Sequence, residues 1–190
     1  MLGRNCLLLL LLPLLLSCSK PAGLTIHNGL EHSVQISGLP GGPLDLAAGA
    51  QHRVRPVKKA FTLQATGNSF REEVSLALPP PQGEALWSVG GKACFVEADY
   101  SSYYSLPASM PAAISVLEVL STGQSTHVSE GRIDAAPGER LPKSMHGGQV
   151  RAFIQIPCQV AASPEVARGW LEMTLDEIQP ETASKKSTSN

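Results

Sequence analysis

Leu24-Thr25-Ile26-His27-Asn28-Gly29-Leu30-Glu31-His32-Ser33-Val34-Gln35-Ile36 contains the pattern on which the fold turns. Leu24 and Ile26 fall on one side of an extended chain, and Val34 with Ile36 repeat the spacing ten residues later. Period-two alternation of apolar residues marks half-buried strands. Asn28-Gly29 between them is a turn signal, because both residues tolerate positive φ. The same pattern continues at Leu44 and Leu46, at Leu63 and Ala65, and at Val74, Leu76 and Leu78. Residues 38–43 and Gly67-Asn68 punctuate it with further turn formers. A strand about every ten residues predicts a mainly β chain, an antiparallel β-sandwich-like fold.

Pro79-Pro80-Pro81-Gln82-Gly83 interrupts the alternation, and prolines cannot donate to a sheet ladder. It reads as a connection (79–83) between β-rich subdomains at 24–78 and 84–180. The first is short enough to be marginal alone, so the two halves are expected to pack together. One domain or two remains open. Strands are expected over 85–89, 93–100, 113–120 and 150–160, with 128–135 weaker. Ser163-Pro164-Glu165 reads as a helix start, with serine as cap and proline at the first position. Ala167, Leu171, Leu175 and Ile178 then fall on one helical face, and Pro180 stops it. Leu171, Met173 and Leu175 also alternate, so a strand is the alternative there. Residues 181–190 form a polar tail, expected to be disordered.

The beginning of the chain has a different character. One arginine precedes an almost unbroken leucine run from Cys6 to Leu16. That run is too short to span a bilayer, which takes ~20 apolar residues, and reads as a secretory signal. Its end, Leu15-Leu16-Ser17-Cys18, resembles the lipobox of bacterial lipoproteins. The resemblance implies a signal peptide at 1–17, a diacylglycerol on the Cys18 thiol, cleavage before Cys18 and acylation of the new amino group. Two or three acyl chains anchor a protein stably where one does not. Residues 18–23 would then be a lipidated tether. Ser19, rather than aspartate, implies the outer membrane of the bacterial envelope.

Without its first 17 residues the chain has 14 Lys and Arg against 16 Asp and Glu, a formal −2. That argues against a nucleic-acid partner, which calls for a basic excess. Of four cysteines, Cys6 leaves with the signal and Cys18 carries lipid. Cys94 and Cys158 remain, and an oxidising compartment favours a disulfide between them. Each shares a parity with apolar neighbours, so both are expected to face the interior from strands.

The chemistry-bearing residues are sparse. Gly-x-Ser-x-Gly and His-Glu-x-x-His are both absent. The histidines are His27, His32, His52, His127 and His146. His27 and His32 flank the first turn, and as a metal site they would need a third ligand brought in by the fold. Neither Cys94 nor Cys158 is followed by the histidine and methionine of a blue-copper site. No cofactor and no metal is expected. Glu97 and Asp99, two apart on a strand, share a face and fall within reach of the spacing that glycoside hydrolysis needs. Two carboxylates on a strand's outer face are usually just solvated.

All three tyrosines of the chain lie in Asp99-Tyr100-Ser101-Ser102-Tyr103-Tyr104. In an extended chain Tyr100 continues the Cys94, Val96, Ala98 face into the core. Tyr103 then points outward beside Glu97 and Asp99, and Tyr103, Tyr104, Glu97 and Asp99 form a candidate binding patch for a protein or a sugar. Arg53 and Arg55 alternate ahead of Lys58-Lys59, as a contact for anionic headgroups or as charge guarding a sheet edge. The expected function is a non-enzymatic binding or structural role. The expected partners are the membrane, through the lipid anchor, and an envelope protein or glycan. The alternative is an envelope-polymer-acting hydrolase using Glu97 and Asp99.

Overall fold

The computed structural model describes residues 22–55, 60–77, 79–80, 82–105, 113–145 and 148–174, the side chain of Phe61 excepted. The lipobox with Cys18, the Lys58-Lys59 pair, Leu78, His146, Leu175, Ile178 and the 181–190 tail lie outside the described residues.

The chain is mainly β, in three sheets with a short C-terminal helix. The central sheet comprises β1 (Gly23–Asn28), β4 (Gln51–Val54), β7 (Glu84–Val89) and β10 (Thr126–Ser129), in the order β10-β7-β1-β4. The outer sheet is β3 (Leu44–Leu46), β2 (Val34–Ser37), β5 (Phe61–Gly67) and β6 (Phe70–Leu76). The third sheet is β11 (Arg151–Ile156), β8 (Cys94–Asp99) and β9 (Ser115–Leu120). Strand pairing is antiparallel throughout the three sheets except between β1 and β7, which run parallel from Gly23↔Glu84 to Asn28↔Val89. The central sheet therefore draws strands from both sides of the proline-rich connection.

Alternation sets the layering. Leu24, Ile26, Ala85, Trp87 and Val89 project from the central sheet onto Val34, Ile36, Leu46, Leu63, Ala65 and Leu76 of the outer sheet. This is the sandwich core, and Trp87 at its middle is fully buried. The opposite face of the central sheet meets Phe95, Leu120 and Phe153 of the third sheet. The far side of that third sheet carries Cys94, Val96, Ala98, Ile154 and Ile156. Ala167 and Leu171 of α2 (Pro164–Met173) close over it. The order of layers is outer sheet, central sheet, third sheet, helix.

Local chemistry explains the junctions. Asn68 and Ser69 both take positive φ, 39° and 67°, which gives the β5–β6 hairpin a turn matched to the twist of its strands. Asn28-Gly29 is not a hairpin turn. β1 and β2 belong to different sheets, and this turn carries the chain across. The buried Asn28 amide donates to the carbonyls of His32, Leu46 and Ala47 at 2.9, 3.0 and 3.0 Å, and its oxygen accepts from the Leu30 N–H. Ser163 caps α2, its hydroxyl accepting from the Val166 N–H at 3.3 Å, and Pro164 takes the first position.

Cys94 and Cys158 form a disulfide, with Cα atoms 5.2 Å apart. Cys94 faces the interior as expected, but Cys158 does not sit on a strand. Pro157 ends β11, and Cys158 lies exposed in the turn that leads to α2. The bridge thus ties the start of β8 to that turn.

Candidate functional site

The sandwich core is apolar, whereas the layer between the central and third sheets carries charge. The residues of β1, β4, β7 and β10 that face the third sheet are Thr25, His27, Gln51, Arg53, Glu84, Ser88, His127 and Ser129, with Leu86 among them. β8 and β11 answer with Glu97, Asp99, Arg151 and Gln155 around Phe95 and Phe153.

Glu84 is completely buried. Arg53 grips it with two donors, Nε at 2.7 Å and Nη2 at 2.6 Å, and Arg55 Nη2 donates to the same carboxylate. The Thr25 hydroxyl donates at 2.5 Å. Both arginines also donate to the Ile133 carbonyl, and Arg53 reaches Glu139 at 3.1 Å. A carboxylate out of water needs this degree of engagement, because the cost of desolvating an unpaired charge is several kcal/mol. Gly23 fits because it lacks a side chain: a Cβ there would stand 2.9 Å from Arg55 and 3.0 Å from Glu84. Arg53 and Arg55 therefore turn inward to hold Glu84.

Glu97 lies beside this group and joins the two sheets. It accepts from the Ser129 hydroxyl at 2.7 Å, meets His127 Nε2 at 2.7 Å, and faces Arg151 Nη1 at 3.5 Å. Burial raises the Glu97 pKa. The His127 and Ser129 hydrogen bonds and the charges of His127 and Arg151 together outweigh it and hold the carboxyl below its ordinary value. Gly131 makes room for Arg151, since a Cβ there would fall 2.3 Å from Nη1.

One row of this layer is less well satisfied. Gln51, His27 and Ser88 lie side by side across β4, β1 and β7. Gln51 Oε1, both His27 ring nitrogens and Ser88 Oγ are buried without hydrogen-bond geometry to a partner. The His27 ring packs edge-on against Phe95, centroids 5.1 Å apart. Burial lowers the His27 pKa below 6.5, with neighbouring Gln155 opposing in part. The sign of the linkage is the same for both groups. A histidine with a depressed folded pKa loses stability as pH falls below 6.5, when the unfolded chain protonates first. A depressed carboxylate contributes stability above about 4.5 that is lost as pH falls through its folded value. The urea midpoint should therefore decline in two stages, below pH 6.5 and again below pH 4.5. His27→Gln should remove the first stage, and Glu97→Gln should reduce the second. A midpoint flat from pH 7 to pH 4 would reject this assignment.

The tyrosine segment departs from the extended conformation expected of it. Residues Ser101–Ser105 form the short helix α1, started by Asp99, whose Oδ1 accepts from the Ser101 N–H at 2.8 Å. Tyr100 is fully buried, as parity indicated. Tyr104 is half-buried, its hydroxyl donating to the Pro142 carbonyl at 2.6 Å. Burial, with neighbouring Tyr103 and Asp134, pushes its pKa up to about 12. Tyr103 stacks edge-on against Tyr104 at 5.4 Å and is half-buried. Glu97 is turned between the sheets and is only 4% exposed. The four patch residues are thus divided. Tyr103 and Tyr104 pack at the α1 end, Asp99 caps α1 beside Arg151, and Glu97 belongs to the interlayer. His27 and His32 are likewise separated, His27 against Phe95 and His32 against Phe70. Among the described residues no group of three or more His, Cys, Asp or Glu is placed to hold a metal ion.

A cleft of about 580 Å³ opens at the outer edge of β11. Gln155, Pro157, Gly138, Arg140, Trp170 and Thr174 line it. No family model, curated protein or solved structure matches the chain. Its chemistry has to be read from these residues themselves. Sequence reasoning missed Glu84, His127, Ser129 and Arg151. Thr25 and His27 alternating with apolar residues in β1, and Glu84 and Ser88 on one parity of β7, were the available signal, but it is the same signal a solvent-facing strand gives.

Proposed function

We propose that the mature protein is a lipoprotein of the bacterial envelope, anchored in the outer membrane through Cys18, that works by non-enzymatic contact with an envelope protein or glycan. The observation that carries this reading is the pairing of Cys94 with Cys158. It uses both other cysteines of the mature chain, leaving Cys18 at the end of the leucine run as the thiol with a separate purpose. A disulfide also suits an oxidising compartment outside the cytoplasm. The charged interlayer supports contact rather than catalysis. Its carboxylates are occupied by arginines, hydroxyls and a histidine, so they do the work of joining sheets. The hydrolase alternative needs Glu97 in reach of water and substrate, whereas Glu97 is 4% exposed behind His127 and Ser129.

Anchoring is tested by mass and by partition. The full chain expressed in a didermic bacterium should yield a mature form beginning at Cys18, heavier than its polypeptide by the attached acyl chains, and it should sediment with outer membrane. Cys18→Ser should remove the added mass and the membrane association together. A Cys18→Ser protein processed and membrane-bound like the wild type would reject the anchor. Crosslinking in the intact envelope tests contact, and a stable protein or glycan adduct is the expected result.

A further inference from the structure

We propose that the edge of β11 at residues 154–156 receives an extended segment of another protein as an added strand. The proposal deepens the contact reading above and rests on it only for the kind of partner.

The direction of the backbone groups is fixed by bonds already made. Arg151 accepts at its carbonyl from the N–H groups of Asp134 and Ala135, at 2.7 and 3.4 Å, and the Phe153 N–H donates to the Ala135 carbonyl at 3.0 Å. Residues 151 and 153 therefore point their peptide groups away from β8. Along a strand this direction repeats at every second residue. The N–H and C=O of Gln155 must point the same way, off the free edge of the sheet. Over residues 133–135 the chain itself runs beside this edge, parallel to it at Ala135↔Ala152. It then turns away, with the Glu139 N–H donating to the Ala136 carbonyl. No described strand continues the ladder beyond, and the cleft of about 580 Å³ opens at this point.

The walls of the cleft suit an extended polypeptide with alternating side chains. On the helix side stand Trp170, Ile154 and Ile156. On the other stand Gln155, Glu139 and Gly138. An incoming strand would place apolar residues toward Trp170 and polar ones toward Gln155, while its backbone bonds the Gln155 N–H and C=O, which meet no backbone partner among the described residues. Main-chain bonding then gives affinity, and the two walls give specificity. A sugar would satisfy the polar wall alone. The strand-spaced peptide groups, and the use of the same edge by residues 133–135, favour a polypeptide.

The probe is an acetylated Thr-Val-Thr-Val-Thr-Val peptide titrated into the purified mature protein and followed by amide and indole NMR. Saturable shifts are expected at Gln155, Ile156 and the Trp170 indole. Gln155→Pro removes the outward N–H without touching a ladder bond to β8, and should weaken binding by roughly tenfold or more. Gln155→Ala keeps that N–H and should bind within about twofold of wild type. N-methylation of the peptide at its central residues gives the same loss should Gln155→Pro fail to fold. The proposal is overturned if the peptide shifts nothing at the edge, or if Gln155→Pro and the methylated peptide bind normally. It is also overturned if the Gln155 amide is protected in the free protein and becomes labile only on truncation after Thr174, because the chain's own C-terminal segment would then hold the edge. Loss of anchoring in Cys18→Ser protein would leave all of these readouts unchanged, so the two readings fail separately.

Discussion

Glu84→Ala should destabilise the protein by about 3–5 kcal/mol, the range for breaking a buried ion pair by removing one partner. The methyl group of alanine offers nothing to Arg53 or Arg55, whose side chains are only 20% and 30% exposed. Arg53 then keeps the Ile133 carbonyl and Glu139, whereas Arg55 keeps the Ile133 carbonyl in place of a carboxylate. The cost is the stranded charge more than the lost attraction. Replacing Arg53 and Arg55 with methionine in the Glu84→Ala background should therefore recover much of the loss. Urea unfolding followed by circular dichroism is the measurement. A Glu84→Ala protein within ~0.5 kcal/mol of wild type would mean that water reaches these groups, and that the layer is not closed.

Cys158→Ser should cost about 2–5 kcal/mol, the usual range for losing a native bridge in a small disulfide-bonded domain. The bridge closes a separation of 64 residues. A loop of that size corresponds to about 4 kcal/mol of denatured-chain entropy. Cys94 already stands opposite Ile156 in the β8–β11 ladder, so the bond adds little to that pairing. Its gain lies in fixing the turn at Cys158 and, through it, α2 over the third-sheet core. Reductant should lower wild-type stability to that of Cys158→Ser and leave the variant unaffected. Equal stability of the reduced and oxidised wild type would reject the argument. So would peptide mapping that finds both thiols free.

Several features were legible in the sequence for reasons that can be stated. Alternation located β1, β2, β3, β5 and β6, because one residue in two of each strand meets an apolar layer. Ser163-Pro164-Glu165 marked α2 through cap chemistry that is local to three residues. The even count of cysteines gave the disulfide. The rest depended on what lies opposite each face. β1 is buried along its whole length, with Leu24 and Ile26 against one sheet and Thr25 and His27 against another. Period two distinguishes the faces of a strand but not water from a second, polar sheet. The same gap turned Glu97 outward in the sequence reading. It also assigned Arg53 and Arg55 to a surface. Asp99 stopped the parity argument at Tyr100, because its side chain bonds the following backbone and starts a helix where extension was assumed.

The parallel pairing of β1 with β7 bears on the order of folding. Gly23 finds its neighbour in Glu84, and the chain between them is largely the outer sheet with its local hairpins. Those hairpins close short loops and can form early, whereas β1 gains a central position only after a connection of some 60 residues is closed. Until then both faces of β1 and one face of the outer sheet are uncovered. A chain whose first residues become available first must pass through this state. The first described strand is then among the last to be sheltered. A holding chaperone would meet this protein as an open half-sandwich, with Leu24 and Ile26 still in search of a partner.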